Sequence, residues 1–266
     1  MHTALRQLKK YKNSFRMSRL SIITVNYNSG PLLEKTLQAL VDFAKHPDIE
    51  IVVVDGGSQD VSRLTVETYR KVMGHCIVER DSGIYDAMNK GIKVSKGDWI
   101  WFINAGDVPI IAPDVGLSHL VEAERKKANY IYSDLLINGV TYQQNFSLRY
   151  LATRMINHQS SIYRRNLLKD LYDISYNYCA DYAHLLKNFK QVIPFKIPDL
   201  LCSYDLTGIS SVVSRRRRLA IWFERLRAQL NAPLNPFIKL GLATVSLVVI
   251  LIKSISPGVG SVVRKS

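Results

Sequence analysis

Four short apolar runs constrain this chain more than any other feature, because each is cut off by a cluster of polar turn residues. The runs are LSIITV (20–25), IEIVVV (49–54), a shorter stretch at 75–79, and WIWFI (99–103). They have the length and the β-branched and aromatic content of buried strands. They break off into Asn26-Tyr27-Asn28, Asp55-Gly56-Gly57, Asp81-Ser82-Gly83 and Asn104-Ala105-Gly106-Asp107. Helical spacing fills the gaps. Ser29-Gly30-Pro31 opens a helix whose Leu33, Leu37, Leu40, Val41 and Ala44 share one face. Asp60 stands as N-cap of a helix over 61–73 that Gly74 ends, and 84–94 reads as a third helix. Strand alternating with helix through short connections predicts an α/β fold with a mostly parallel, doubly wound sheet. In such sheets ligands sit outside the carboxyl ends of the strands. Any one of the clusters is ordinary turn chemistry, but together they predict one functional rim, with Asp107 as a ligand for a divalent metal.

The second half alternates less regularly. A surface helix is expected at 114–127, a strand at 130–137 (YIYSDLLI), and a polar trio in NHQSSIY (157–163). A short helix is expected at 180–190 with Leu185, Leu186 and Phe189 facing inward and Asp181 in its first turn. Pro194 and Pro198 bracket extended chain up to Tyr204, and Thr207–Ser210 is a loop.

The net charge of +14 over 266 residues suggests nucleic acid until it is divided along the chain. Residues 1–19 carry six Lys/Arg and no acid, and 215–266 carry ten Lys/Arg and one acid, Glu224, leaving 20 bases and 21 acids in between. A basic patch confined to the ends argues against a nucleic-acid reader and for an anionic membrane surface. After four arginines, Leu219, Trp222, Phe223, Leu226 and Leu230 line one face of a basic amphipathic helix, with Arg218, Glu224 and Arg225 off it. Residues 240–252 then run uncharged for 13 residues, short of a span, so an in-plane segment or a helix packed on the core is expected. Packing into a homodimer is the next reading of this tail. Cys76, Cys179 and Cys202 share no metal spacing and point to free thiols in a reducing compartment. No secretory signal is visible, and Met17 makes residues 1–16 a candidate extension.

TVNYN, VVVDGGSQD, RDSGIYDAMNKG and FINAGD, in this order, resemble the inverting glycosyltransferases of family 2 with the GT-A fold. The subgroup it resembles serves bacterial exopolysaccharide, colanic acid and O-antigen assembly. The resemblance is strong over 20–107 and thins towards 210. It implies a catalytic domain over 20–212, with a nucleotide-binding half (20–107) and an acceptor half (108–212), between a basic extension (1–19) and a helical tail (213–266). It implies transfer from a nucleotide sugar, a UDP-sugar first, to a lipid-linked saccharide on the cytoplasmic face of the inner membrane. By resemblance, Tyr27 stacks on uracil and Asp55 accepts its N3–H. Asp81 and Asp86 lie by the ribose and diphosphate, and Asn89 and Gly91 match an Asn-x-Gly of helix packing. His158 and Gln159 match a His-Gln pair expected at the donor sugar or diphosphate, and Asp181 matches the catalytic base. Many relatives have Asp-x-Asp-Asp where this chain has Asn104-Ala105-Gly106-Asp107. Asp107 is then the one carboxylate for Mg2+ or Mn2+, with Asn104 offering an amide oxygen or a hydrogen bond to the sugar.

Two other readings compete. A dinucleotide-dependent dehydrogenase would want Gly-x-Gly-x-x-Gly after the first strand, where this chain has Asn-Tyr-Asn-Ser-Gly-Pro. A non-catalytic protein binding membrane or nucleic acid through its basic ends is the other.

Overall fold

The computed structural model describes residues 19–204 and 214–255. The candidate extension 1–16 and the loop at 207–210 lie outside the described residues. The first half runs β1 (Leu20–Asn26), α1 (Gly30–Ala44), β2 (Ile49–Asp55), α2 (Ser62–Thr68), β3 (His75–Val78), α3 (Ile84–Val94) and β4 (Trp99–Phe102). Next come β5 (Val108–Pro109), α4 (Pro113–Arg125), β6 (Tyr130–Tyr132), β7 (Leu135–Ile137), β8 (Val140–Tyr142), α5 (Leu148–Thr153), β9 (Ser161–Arg164), α6 (Ala180–Lys187), β10 (Pro194–Lys196) and β11 (Cys202–Tyr204). Two helices close the described chain, α7 (Arg215–Asn231) and α8 (Pro236–Ile255).

A seven-stranded sheet in the order β10-β6-β9-β4-β1-β2-β3 forms the centre. β1 pairs in parallel with β2 and β4, and β2 with β3. β9 alone runs against its neighbours β4 and β6, as the strand through which the second half joins the sheet. The apolar runs are buried on both faces, which is why they read as near-continuous rather than alternating. Ile23, Val25, Ile100 and Phe102 enter one core, and Leu20, Ile22, Trp99 and Trp101 the other. Leu33, Leu37 and Leu40 of α1 are fully buried in the second. Gly91 lets α3 lie close on β1, since a Cβ there would stand 2.5 Å from a methyl of Ile23.

The structure revises three of these expectations. The strand expected at 130–137 is two, because the chain changes sheets at Ser133-Asp134. The N–H of Ser133 donates to Ser160 O, and Asp134 accepts the N–H of Gln144. β7 then joins a four-stranded sheet, β5-β11-β7-β8. The helix expected over 61–73 stops at Thr68 and tightens into a 3-10 turn at Arg70–Val72.

The third revision concerns the tail. The inward face of α7 is polar. Arg225 and Gln229 are buried with Ala228, while Phe223 and Leu230 point out. The cause lies in the elements beneath. The Arg225 guanidinium donates to the carbonyls of Leu151, Thr153 and Arg154 at the end of α5, where helical partners run out. It also lies over the rings of Tyr182 and Trp222. Gln229 donates to Tyr182 Oη and accepts from Ser246 of α8. No helix among the described residues is long and apolar enough to cross a membrane.

Candidate active site

The rim at the ends of β1 and β2 is built around Asp55. Its Oδ1 accepts the N–H groups of Gly57 and Ser58, and its Oδ2 accepts from Asn26 Nδ2 and Ser58 Oγ, at 2.6–3.1 Å. An ionised carboxylate has about four lone-pair positions, and all are filled here, with Asp55 only 1% exposed. Asn28, at a positive φ, continues the stitching by accepting the Gln59 N–H and donating its own N–H to Ser58 Oγ. Asp55 therefore holds the loop together, and the resemblance-based expectation that it accepts from a base is corrected. Its oxygens have no capacity left and no path to a ligand.

A different carboxylate overlooks the rim. A Cβ on Gly56 would lie 2.3 Å from Asp81 Oδ2 and 3.2 Å from Cδ2 of Tyr27, so the missing side chain leaves a shallow slot between a carboxylate and an aromatic ring. Tyr27 is 52% exposed. Asp81 accepts the Gly83 N–H at 3.0 Å, and partial burial raises its carboxyl above the ordinary range. Asp86 closes the same turn by accepting the Ser82 N–H, and that bond lowers its own pKa.

Beside the slot runs a continuous hydrogen-bonded chain. Asn104 Nδ2 stands 2.8 Å from His158 Nε2, and His158 Nδ1 stands 3.1 Å from Asp181 Oδ2. Tyr85 donates to Asp181 Oδ1 at 3.0 Å, and the Tyr182 N–H donates to the same oxygen at 2.8 Å. Neutral imidazole with its proton on Nδ1 satisfies both neighbours at once, since Asn104 donates to Nε2 and Asp181 accepts from Nδ1. Three of the carboxylate's four acceptor positions are then used, and the fourth is on Oδ2. Burial, then the charge of Asp181, keeps Tyr85 protonated well beyond the usual phenol range. Tyr85 and Asp86 are neighbours in the first turn of α3, so this one turn reaches both the slot and Asp181.

The turn after β4 offers hard oxygen donors. Gly106 takes φ +103°, and its N–H donates to Thr36 Oγ1, which in turn donates to the carbonyl of Asp107. Asp107 is buried, and its charge, after burial itself, helps push the Cys202 thiol up. Asn104 Oδ1 and Gln159 Oε1 are buried without a hydrogen-bond partner. Among the described residues no three His, Cys, Asp or Glu side chains form a metal cage. An orphaned amide oxygen with one carboxylate on the same turn fits the sparse protein donor set of Mg2+ or Mn2+, which take their other ligands from phosphate and water.

Behind Asp181 stands Glu224. Its carboxylate accepts the N–H groups of Asn177, Tyr178 and Cys179 at 2.8–3.0 Å and so fixes the segment that leads into α6.

The family model described as Glycosyl transferase family 2 matches residues 21–180, and so takes in the slot and, but for Asp181 itself, the hydrogen-bonded chain. The chain belongs to glycosyltransferase family 2. This glycosyltransferase is 30% identical over 203 residues to an uncharacterized glycosyltransferase of Mycobacterium tuberculosis, covering 72% of this chain and 77% of the relative. Its fold resembles that of S. aureus TarS 1-349 in complex with UDP-GlcNAc, with TM-score 0.67 at 20% identity over 86% of this chain and 71% of that one. It also resembles the mannosyltransferase PcManGT from Pyrobaculum calidifontis in complex with GDP-Man and Mn2+, with TM-score 0.65 at 14% identity over 96% of this chain and 84% of that one. These neighbours carry the GT-A fold, and the central α/β sheet here matches it.

In this family 2 enzyme the structure gathers Asn104, His158 and Asp181 into one hydrogen-bonded chain and sets Tyr27 and Asp81 about one slot. Asn89 stays apart, holding the backbone of Tyr172 through both its N–H and its carbonyl. With Gly91 pressed on Ile23, that motif is packing. Three participants escaped the sequence reading. Tyr85 was visible in RDSGIYDAMNKG but gave no sign of pointing at a carboxylate 96 positions away. Gly56 read as turn chemistry, and Glu224 as one acid on a basic helix.

Proposed function

We propose that this glycosyltransferase moves a sugar from a UDP-sugar to a hydroxyl of a lipid-linked saccharide, with inversion at the anomeric carbon, in bacterial surface polysaccharide synthesis. The observation that carries the reading is the bonding of Asp181, which is held on three sides and has one acceptor position free. In this role Asp181 takes the proton of the acceptor hydroxyl as it attacks, and one displacement by one base inverts the centre. His158 and Tyr85 hold the carboxylate in place. Tyr27 stacks on the base, and Asp81, in the position first expected of Asp55, accepts its N3–H. Asp86 keeps the Asp81 turn closed towards the ribose, and Gln159 Oε1 and Asn104 face the diphosphate and donor sugar. Asn104 Oδ1 and the Asp107 carboxylate would hold Mg2+ or Mn2+, which when bound neutralises charge on the leaving diphosphate. The enzyme works on the cytoplasmic face of the inner membrane, with residues 20–212 as the catalytic domain and 213–266 as its lipid-side tail.

A panel of UDP-, GDP- and dTDP-sugars, read by mass spectrometry of released nucleotide, tests this. Release of UDP by the native chain and its loss in Asp181→Asn, with the circular dichroism spectrum retained, is the expected result. Undiminished turnover in Asp181→Asn would remove it as the base. Release of GDP alone would overturn the uracil reading of Tyr27 and Asp81.

A further inference from the structure

We propose that the outward face of α8 is a lipid-docking surface that seats the protein on an anionic bilayer. α8 is 20 residues long and two-sided. Its inner side is docked, with Leu242, Ala243, Ser246 and Ile250 buried and Ser246 bonded to Gln229 of α7. Its outer side presents Phe237, Leu240, Leu247, Val248, Leu251 and Ile252 to solvent, with Phe237 84% exposed. These positions recur at helical spacing along the whole element, so they make one stripe rather than scattered exposure. The one polar side chain on the stripe, Thr244, is satisfied by the carbonyl of Leu240. A free interfacial helix needs its own polar face, and here the protein body takes that place.

Charge decides between the occupants. Residues 215–266 carry ten Lys/Arg and one acid; that acid, Glu224, and one of the cations, Arg225, are bound to backbone groups within the fold, which leaves nine other cations. A second copy packed on the stripe would bring a net +9 against another +9. An anionic leaflet complements it, at about 1 kcal/mol for each cation near the surface. The inference rests on the lipid-side placement proposed above but concerns the surface, not the chemistry.

The test uses the full chain and sedimentation with vesicles. One set is phosphatidylcholine with roughly 30% phosphatidylglycerol, the other phosphatidylcholine alone. The native protein is expected to pellet with the anionic vesicles and to be released by salt. Leu240→Glu/Leu247→Glu/Leu251→Glu is expected to bind at least ~10-fold less while still turning over a water-soluble acceptor. Arg215→Gln/Arg216→Gln, which leaves the stripe intact, is expected to weaken the preference for anionic vesicles. Native protein left in the supernatant with both vesicles, or a triple variant that pellets like the native chain, overturns the proposal. So does a native dimer in ultracentrifugation that ignores vesicles and that the triple variant splits, since the stripe then belongs to a second copy. An enzyme inactive on every donor yet pelleting as described would remove the proposed chemistry and leave the surface standing.

Discussion

Asp55 and Asp81 are both carboxylates at strand ends, and the difference between them is which way the lone pairs face. All the acceptor positions of Asp55 are used within the fold, so Asp55→Asn should act on stability. It sets an amide N–H against donors in the interior, at about 1–3 kcal/mol for each group left unmet, and a lowered Tm would show it. Asp81→Asn should act on the donor instead, raising its KM by roughly 5- to 150-fold while Tm holds, because the hydrogen bond proposed to the base edge is lost. The Asp81 carboxyl is raised by burial. Its acceptor form therefore disappears at a higher pH than for an ordinary aspartate, and donor affinity should weaken on the acid side in the native enzyme but not in Asp81→Asn. For Asp181→Asn the expected loss is in kcat, about 10^2- to 10^4-fold, with donor KM unchanged. Single-turnover assays at saturating donor would separate the two aspartates.

At the scale of elements, α7 is as much a part of the site as the strands of the rim. Arg225 answers three carbonyls at the end of α5, and Glu224 answers three N–H groups before α6. Arg225→Ala leaves those carbonyls without their donor and should destabilise the fold by about 1–3 kcal/mol for each group left unmet, measured by denaturant unfolding. Removing residues 215–266 takes away both sets of contacts and should abolish turnover even of a soluble acceptor, measured as released nucleotide. Another element sets an acid limit on folding. His184 of α6 is buried beside Tyr172 and Asn188, with Lys187 and Asp170 nearby, and burial pushes it down to about 4. Its unfolded value is about 6.5. The unfolded chain therefore binds the extra proton between those values, and stability falls as pH drops from about 6.5 to 4, by up to roughly 3 kcal/mol. Thermal melts of native protein and His184→Gln across that window should converge at the acid end.

The whole molecule divides into what local chemistry announces and what only the assembled fold reveals. β1, β2, β4, α1 and α3 were legible because their burial is two-sided or strictly periodic, and period and burial are written into the order of residues. The rim was legible because a strand that ends in Asn, Asp and Gly is placing polar groups at its carboxyl end. The orientation of α7 was not legible. Its stripe of Leu219, Trp222, Phe223, Leu226 and Leu230 is the more apolar face, yet unmet carbonyls and N–H groups on distant elements drew Arg225, Glu224 and Gln229 inward. Asp55 was misread for a related reason, since the sequence shows a carboxylate at the right turn but not which donors reach it first. The metal proposed above is tested on the whole site. Added Mg2+ or Mn2+ should raise turnover in the native enzyme, and Asp107→Ala should cancel that response in a metal titration.

Glu224 lies 43 positions beyond Asp181, yet it fixes the segment that leads into it. Synthesis runs from the other end. A nascent chain halted before α7 already has its nucleotide half and every residue of the hydrogen-bonded chain through Asp181, but not the carboxylate that fixes the segment beneath it. The segment that leads into Asp181 is thus fixed only once α7 has been made, and the helix with the outward apolar stripe follows it directly.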